Sequence, residues 1–267
     1  LHSQLGSDPD FLPRIRPHQW IWDVRQEPAD LTVASGRAGL LPCRRLLTVG
    51  TDMSVGKMST CLELQAAALR RGMDARFVGT GQAGILISGA GVPLDAVRVD
   101  YAAGAVERAV LRAAADAAPD ALILVEGQGS LCHPGSSATL PLIRGSQPTA
   151  LLLVHRAGQS TILHQPHIPL PPLPELIKAV EALAALGRPL NAVHPPPRVI
   201  AMAVNTAGME RAAAESAIAD LEASTALPCV DPVRGGASTL LDVVLAGSSQ
   251  RRAVCTGVGP GEASGRR

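Results

Sequence analysis

The segment GTDMSVGKMS, Gly50 to Ser59, contains what is needed to hold an anion. Gly50 and Gly56 flank a short loop, and Lys57 follows directly. A strand leading into such a loop, with a helix starting at the lysine, aims several backbone N–H groups at one point. Lys57 adds a mobile positive charge, so the pattern is that of a phosphate-binding P-loop. Thr51, Ser54, Val55, Gly56, Lys57, Met58 and Ser59, with Gly50, are its expected walls. A side chain at Gly56 is expected to block the close approach of backbone to phosphate. The spacing departs from GxxxxGK[ST] in two ways: Gly50 lies one residue further upstream, and Met58 fills the hydroxyl position. Any Mg²⁺ would therefore have to take its hydroxyl from Ser59 or Thr60. The competing reading, a glycine turn with a surface lysine, does not account for the strand and helix patterns on both sides.

Glu126-Gly127-Gln128-Gly129 follows the apolar run ALILV, at the place where ligands sit in parallel sheets. Glu126 there is suited either to holding Mg²⁺ or to accepting a proton. The polar loop Ser130–Ser137 continues from it, with His133 as a candidate base or substrate contact. Cys132 has no evident activating partner. Thr80-Gly81-Gln82-Ala83-Gly84 forms a third loop on the same edge, so Thr80, Gln82, Gln128, Ser130 and Ser137 are candidate substrate contacts. Asp95 and Asp100 bracket a β-like segment, DAVRVD; Asp100 is a candidate metal-shell carboxylate, with strand-end capping the alternative. Asn205 ends the strand RVIAMAVN, and its amide could read an adenine edge. Arg234, in the turn DPVRGG, is either a phosphate clamp or a solvated arginine.

The elements that must place these groups alternate along the chain. Strands are expected at Arg45–Gly50, Ala75–Val78, Ala121–Glu126, Ala150–His155 and Arg198–Asn205. Helices are expected at Lys57–Arg71, Tyr101–Ala117, Pro174–Leu186, Glu210–Thr225 and Ala237–Leu245. This alternation predicts an α/β fold with a doubly wound, mostly parallel sheet of the P-loop nucleoside triphosphate hydrolase type. Residues 1–44 read as a linker with one short β-like run, Trp20–Val24, and residues 45–246 as the P-loop domain. Ala157–Pro172 reads as a long loop rich in His, Gln and Pro, and Gly247–Arg267 as a disordered tail.

Composition narrows the class further. Aromatics are only 2% of the 267 residues, so a core must come from Leu, Val, Ile and Ala, as suits buried parallel strands. A net charge of +1 offers no electrostatic case for nucleic acid or an anionic membrane. The five cysteines, Cys43, Cys61, Cys132, Cys229 and Cys255, lack metal or disulfide spacing and read as reduced thiols of a cytoplasmic protein. No stretch has transmembrane length, and the N-terminus lacks a signal-peptide layout. The chain begins without Met, as a fragment or processed product would. The expected partner is a small-molecule substrate, with homo-oligomerisation open.

Two resemblances can be placed on these residues. GTDMSVGK, EGQG and Asn205 resemble dethiobiotin synthetase and its amidoligase relatives, which are ATP- and Mg-dependent. Met58 departs from that pattern, which has a metal-binding threonine; Arg76 is the nearest basic residue to the place of its catalytic lysine. A longer resemblance runs from Trp20 to Leu245. WDVRQEPADL, LTVGTDMSVGKMSTCLEL, FVGTGQAGILISG, DAVRVDYAAGAVE, VEGQGSLCHPGSSATL, GSQPTALLLVHRAG, AVNTAG and DPVRGGA are similar to the D-glutamate N-acetyltransferase-like family. That resemblance implies a Rossmann-like N-terminal domain, of which residues 1–44 would be a remnant, followed by the P-loop domain. It implies acetyl transfer from acetyl-CoA to the amine of D-glutamate. A loop that grips ATP phosphates could equally grip the pyrophosphate of coenzyme A. The amine needs a base, for which Glu126, His133 and Asp52 are candidates, and the Gly127–Ser130 backbone could donate to the oxyanion. An ATP/Mg-dependent ligase and a nucleotide-binding regulatory protein remain the alternatives.

Overall fold

Short apolar runs with side chains alternating between faces form a sheet that must be covered on both sides. The computed structural model describes residues 5–249, with side chains through 246. The elements are β1 (Arg44–Gly50), α1 (Lys57–Arg70), β2 (Ala75–Val78), α2 (Gln82–Ser88), α3 (Val99–Ala114) and β3 (Leu122–Val125). Then come α4 (Thr139–Ser146), β4 (Ala150–Arg156), β5 (Thr161–Ile162), β6 (Gln165–Pro169) and α5 (Leu173–Ala185). The chain closes with β7 (Val199–Asn205), α6 (Arg211–Thr225), β8 (Cys229–Val230) and α7 (Ser238–Ser249).

Six parallel strands pair in the order β2-β3-β1-β4-β7-β8. Leu47, Val49, Ile123 and Val125 face α3, α4 and α5, while Leu46, Leu122, Leu124 and Val154 face α1 and α7. Each such aliphatic side chain contributes roughly 1.5–3 kcal/mol on burial, enough for a core almost without aromatics. From β1 the chain winds toward β3 and β2 on one side and toward β4, β7 and β8 on the other. That divergence leaves a crevice at the carboxyl end of β1, where the P-loop begins.

Several elements differ from expectation. DAVRVD is not a strand: Leu94–Ala96 is a 3₁₀ turn and α3 starts at Val99. Alternation over six residues cannot by itself distinguish a strand from a turn entering a helix. Trp20–Val24 is irregular, with Trp20 76% exposed and no strand beside it to complete a ladder. Ala157–Pro172 contains the antiparallel β5–β6 hairpin. The helices α2 and α4 were not expected, because Gly81, Gly84, Pro141 and Gly145 in and around them read as loop punctuation. The expected tail from residue 250 onward, with Cys255, lies outside the described residues; Cys43, Cys61, Cys132 and Cys229 are unbridged. Among the described residues no helix is long and apolar enough to cross a membrane.

Candidate functional site

The P-loop leaves β1 at Gly50 and enters α1 at Gly56, whose φ of 114° and ψ of 19° lie in the left-handed region. This backbone angle, more than crowding, is what requires glycine: an added Cβ would meet only Asn205 Nδ2, at 3.6 Å. Gly56 provides no side-chain cap, so the first N–H groups of α1 remain available to an anion. Lys57 is 6% exposed, and its Nζ donates to Asp52 O at 2.8 Å. Burial pulls its ammonium down to about 8, against the opposing pull of Asp52 and Glu126. Met58 packs on the α1–α7 side of the core, so a thioether occupies the usual place of the metal-binding hydroxyl.

Other residues hold this loop in place. Asp52 is fully buried, and its two carboxylate oxygens accept from Met53 N, Gln159 Nε2 and Leu163 N at 2.6–2.7 Å. Its role here is to tie the P-loop to the β5–β6 hairpin, and Arg156 Nη2 adds a bond to Ser54 O at 3.0 Å. Thr51 Oγ1 shares a 3.0 Å hydrogen bond with His155 Nδ1, and Ser130 Oγ donates to Thr51 O at 2.9 Å. Burial lowers His155 to about 4, so the ring is neutral and acts as a structural partner. Thr48 Oγ1 accepts from Gly127 N at 2.8 Å, bringing the β3 loop against β1. A Cβ at Gly127 would lie 1.8 Å from Thr48 O and 2.9 Å from Lys57 Cδ. Gly127→Ala is therefore expected to cost about 1–3 kcal/mol, read as a fall of several degrees in Tm by thermal denaturation.

On the β2–β3 side, Glu126 is 7% exposed, with Oε2 accepting from Thr80 N at 2.8 Å and Gly81 N at 3.3 Å. Thr80 Oγ1 returns a bond to Glu126 O at 3.0 Å. Desolvation raises the carboxyl above its ordinary value, only partly offset by those backbone donors and by Lys57. Its second oxygen, Oε1, takes no hydrogen bond from the described residues. Of the four expected oxyanion donors, Gly127 N and Ser130 N are spent on Thr48 and Ser136 hydroxyls. The Gln128 and Gly129 N–H groups have no protein acceptor among the described residues. His133 is partly exposed, and its Nδ1 accepts from Gly135 N at 3.0 Å within its own loop. Gln82 is exposed as the first residue of α2. Gln128 and Ser137 line a cavity of about 330 Å³.

On the β7–β8 side lies a second cavity of about 420 Å³, with Val55, Gly56, Ser59, Asn205, Pro232 and Arg234 in its walls. Asn205 Nδ2 donates to Val55 O and its Oδ1 accepts from Ala207 N, both at 3.0 Å, so the amide braces the wall. Arg234 is likewise engaged: Nε donates to Thr206 Oγ1 at 3.0 Å and Nη2 to Met209 O at 2.6 Å. Asp231 completes the brace by accepting from Thr206 N and Oγ1 and from Val233 and Arg234 N–H groups. Thr48, His155 and Gln159 went unread in the sequence, while Thr206 and Asp231 were read only as parts of the segments that carry Asn205 and Arg234. The signal available for Thr48 and His155 was position in the carboxyl-terminal half of a sheet strand.

The candidate Mg²⁺ ligands lie on different sides of the P-loop, with Glu126 on the β2–β3 side. Ser59 faces the β7–β8 cavity and Asp100 is exposed in the first turn of α3. Among the described residues no group of three or more His, Cys, Asp or Glu side chains could hold a metal ion.

Known proteins fit this geometry. Residues 32–241 match the family described as a domain of unknown function, the DUF1611 C-terminal P-loop domain. A D-glutamate N-acetyltransferase of Tritonibacter scottomollicae is 36% identical over 250 residues, covering 92% of this chain and 71% of that protein. Another protein of that name, from Pseudoalteromonas sp, is 34% identical over 243 residues, covering 90% and 70%. The crystal structure of a DUF1611 family protein from Anabaena variabilis superposes with a TM-score of 0.85 at 54% identity, over 92% of this chain and 70% of that one. With its parallel sheet, its P-loop at the crevice beyond β1 and these matches, the chain belongs to the DUF1611 P-loop family.

Proposed function

We propose that this chain carries the site of an N-acetyltransferase that passes the acetyl group of acetyl-CoA to the amine of D-glutamate. The observation that carries the reading is Glu126: a carboxylate beside the P-loop lysine, anchored through one oxygen, with the other unengaged by the described residues. Its raised proton affinity suits a base that must take a proton from an amine near neutral pH. The names of the two relatives support the reading. Lys57 and the start of α1 would hold the phosphates of the coenzyme. The β7–β8 cavity, lined largely by apolar groups, would take its base by shape and stacking, since the Asn205 amide is spent on the protein. The Gln128 and Gly129 N–H groups would face the thioester oxygen. Localisation in the cytoplasm, where acetyl-CoA is made and used, accompanies this reading.

The test incubates the protein with acetyl-CoA and either D- or L-glutamate, then separately with ATP and Mg²⁺, and follows products by mass spectrometry. N-acetyl-D-glutamate and free coenzyme A are the expected products. Absence of the N-acetyl product, from this chain and from one extended to the length of its relatives, would overturn the reading. ATP hydrolysis lost in Lys57→Ala would instead favour the ligase alternative.

A further inference from the structure

We propose that the cavity on the β2–β3 side of the P-loop receives the acyl group of the donor thioester, and that it admits straight chains longer than acetyl. The proposal rests on the acetyl-transfer reading and adds to it the class of acyl donor.

Three observations converge on this cavity. First, its volume of about 330 Å³ exceeds what acetyl needs. A methyl group is about the size of one water molecule, whose share of liquid volume is about 30 Å³. Second, its wall is largely apolar. Met53, Leu94, Val97, Ala102, Ala138 and Pro141 form much of it, and Met53 and Val99 are left 36% and 71% exposed. Of its polar groups, Asp95 is engaged by Arg25 at 2.5 Å, and Ser136 Oγ accepts from Ser130 N at 3.1 Å. No lysine, arginine or histidine lines it among the described residues, so the carboxylates of a glutamate acceptor would find no cation there. Third, it borders the place where the thioester would lie. Gln128 and Gly129, whose N–H groups would face the thioester oxygen, are part of its wall, and Met53 brings the P-loop into it. Glu126 directly precedes them in the chain and stays outside the wall. A Cβ on Gly129 would lie 3.5 Å from Ala138 Cβ, so Ala138 sits at the end nearest those N–H groups. A thioester oxygen held there would leave its acyl chain against the apolar wall. Each further methylene buried in this way tightens binding about fourfold.

The transfer is the same for each chain length. The ammonium of the acceptor loses one proton to solvent, and its nitrogen attacks the thioester carbon. The C–N bond forms, the C–S bond breaks, and the second proton passes through Glu126 to the departing sulfur. The products are the N-acyl amine and the free thiol, and no further reactant enters.

The experiment titrates coenzyme A, acetyl-CoA and butyryl-CoA by calorimetry into the parent protein, Val97→Phe and Val97→Thr. Acyl transfer to D-glutamate is measured on the same samples by mass spectrometry. Val97 is half-buried in the cavity wall. In the parent, butyryl-CoA should bind about tenfold tighter than acetyl-CoA and yield N-butyryl-D-glutamate. Val97→Phe fills the cavity and should erase that advantage, with coenzyme A and acetyl-CoA binding within about threefold of the parent. Val97→Thr keeps the size but adds a hydroxyl, so it should shrink the advantage severalfold, and it carries the test if the phenylalanine variant fails to fold. Butyryl-CoA binding no tighter than acetyl-CoA in the parent, or an advantage untouched in the folded variants, would overturn the acyl site. So would equal weakening of coenzyme A itself in the variants, which would give the cavity to the coenzyme's own arm. A butyryl advantage lost at Val97 without any N-acyl product would sink the transferase reading and leave the acyl site standing. Acetyl transfer with no butyryl advantage would do the reverse, and a parent that binds none of the three ligands would overturn both.

Discussion

Lys57→Ala is expected to weaken binding of acetyl-CoA by about 100-fold, measured by calorimetry at pH 7. A hydrogen bond to a charged group contributes about 1.5–3 kcal/mol, and every 1.4 kcal/mol is tenfold in affinity. Lys57 is the only lysine or arginine of the P-loop, and it sits buried at its centre. In the protein alone its ammonium is charged below about pH 8 and neutral above. An anionic ligand prefers the charged form, so affinity should be level below about pH 8 and fall as pH rises beyond it. Stability follows the opposite sense. A lysine whose folded value lies below its unfolded value of about 10.4 disfavours folding while protonated. That penalty is fully present below about pH 8 and fades as pH rises toward the unfolded value. The alanine variant at pH 7 sheds that penalty but also loses the Nζ–Asp52 O hydrogen bond, so its Tm should stay within several degrees of the parent's while it loses its ligand. Binding within threefold of the parent would mean that the phosphates do not sit on this loop.

The second large effect is expected at Glu126. Glu126→Gln keeps the shape, and its carbonyl oxygen can still accept from Thr80 N and Gly81 N. What it loses is the ability to take a proton, so kcat should fall by about 10²–10⁴ with coenzyme binding near the parental value. Because desolvation raises the carboxyl, the base is ionised only above a value higher than that of an ordinary glutamate. In the parent kcat/KM should rise with pH through that raised value, then decline beyond about 8 as Lys57 deprotonates, giving a bell. The rising limb should vanish in Glu126→Gln while the falling limb stays. A variant retaining more than a tenth of parental kcat would remove Glu126 from the chemistry and return attention to His133.

Both expectations concern residues readable before any fold was known, and there is a physical reason. A P-loop is local: strand, glycine-flanked turn and helix start lie within about fifteen consecutive residues, and each leaves a composition signal. Glu126 was readable because a carboxylate directly after an apolar run is placed by the strand itself. Strand order was not readable, yet it is strand order that sets β3 and β4 on either side of β1.

The residues whose roles changed are those whose partners lie far away in sequence. Asp52 looked like a base, but it binds Gln159 and Leu163 more than a hundred positions on. Asn205 and Arg234 looked like ligand contacts, but Val55, Thr206 and Met209 take part of their hydrogen-bonding capacity and give them bracing roles as well. Spacing reveals what a side chain can donate or accept; it does not reveal which distant backbone group reaches it first.

The sequence alone was sufficient for the anion-binding loop, the apolar parallel strands and the carboxylate beside them, because these follow from neighbours in the chain. Long-range packing assigned the bracing roles of Asp52, Asn205 and Arg234, and opened a cavity on each side of the loop. Hydrogen-bond satisfaction in a buried crevice is a property of the assembled sheet edge, where segments remote in sequence compete for the same donors and acceptors.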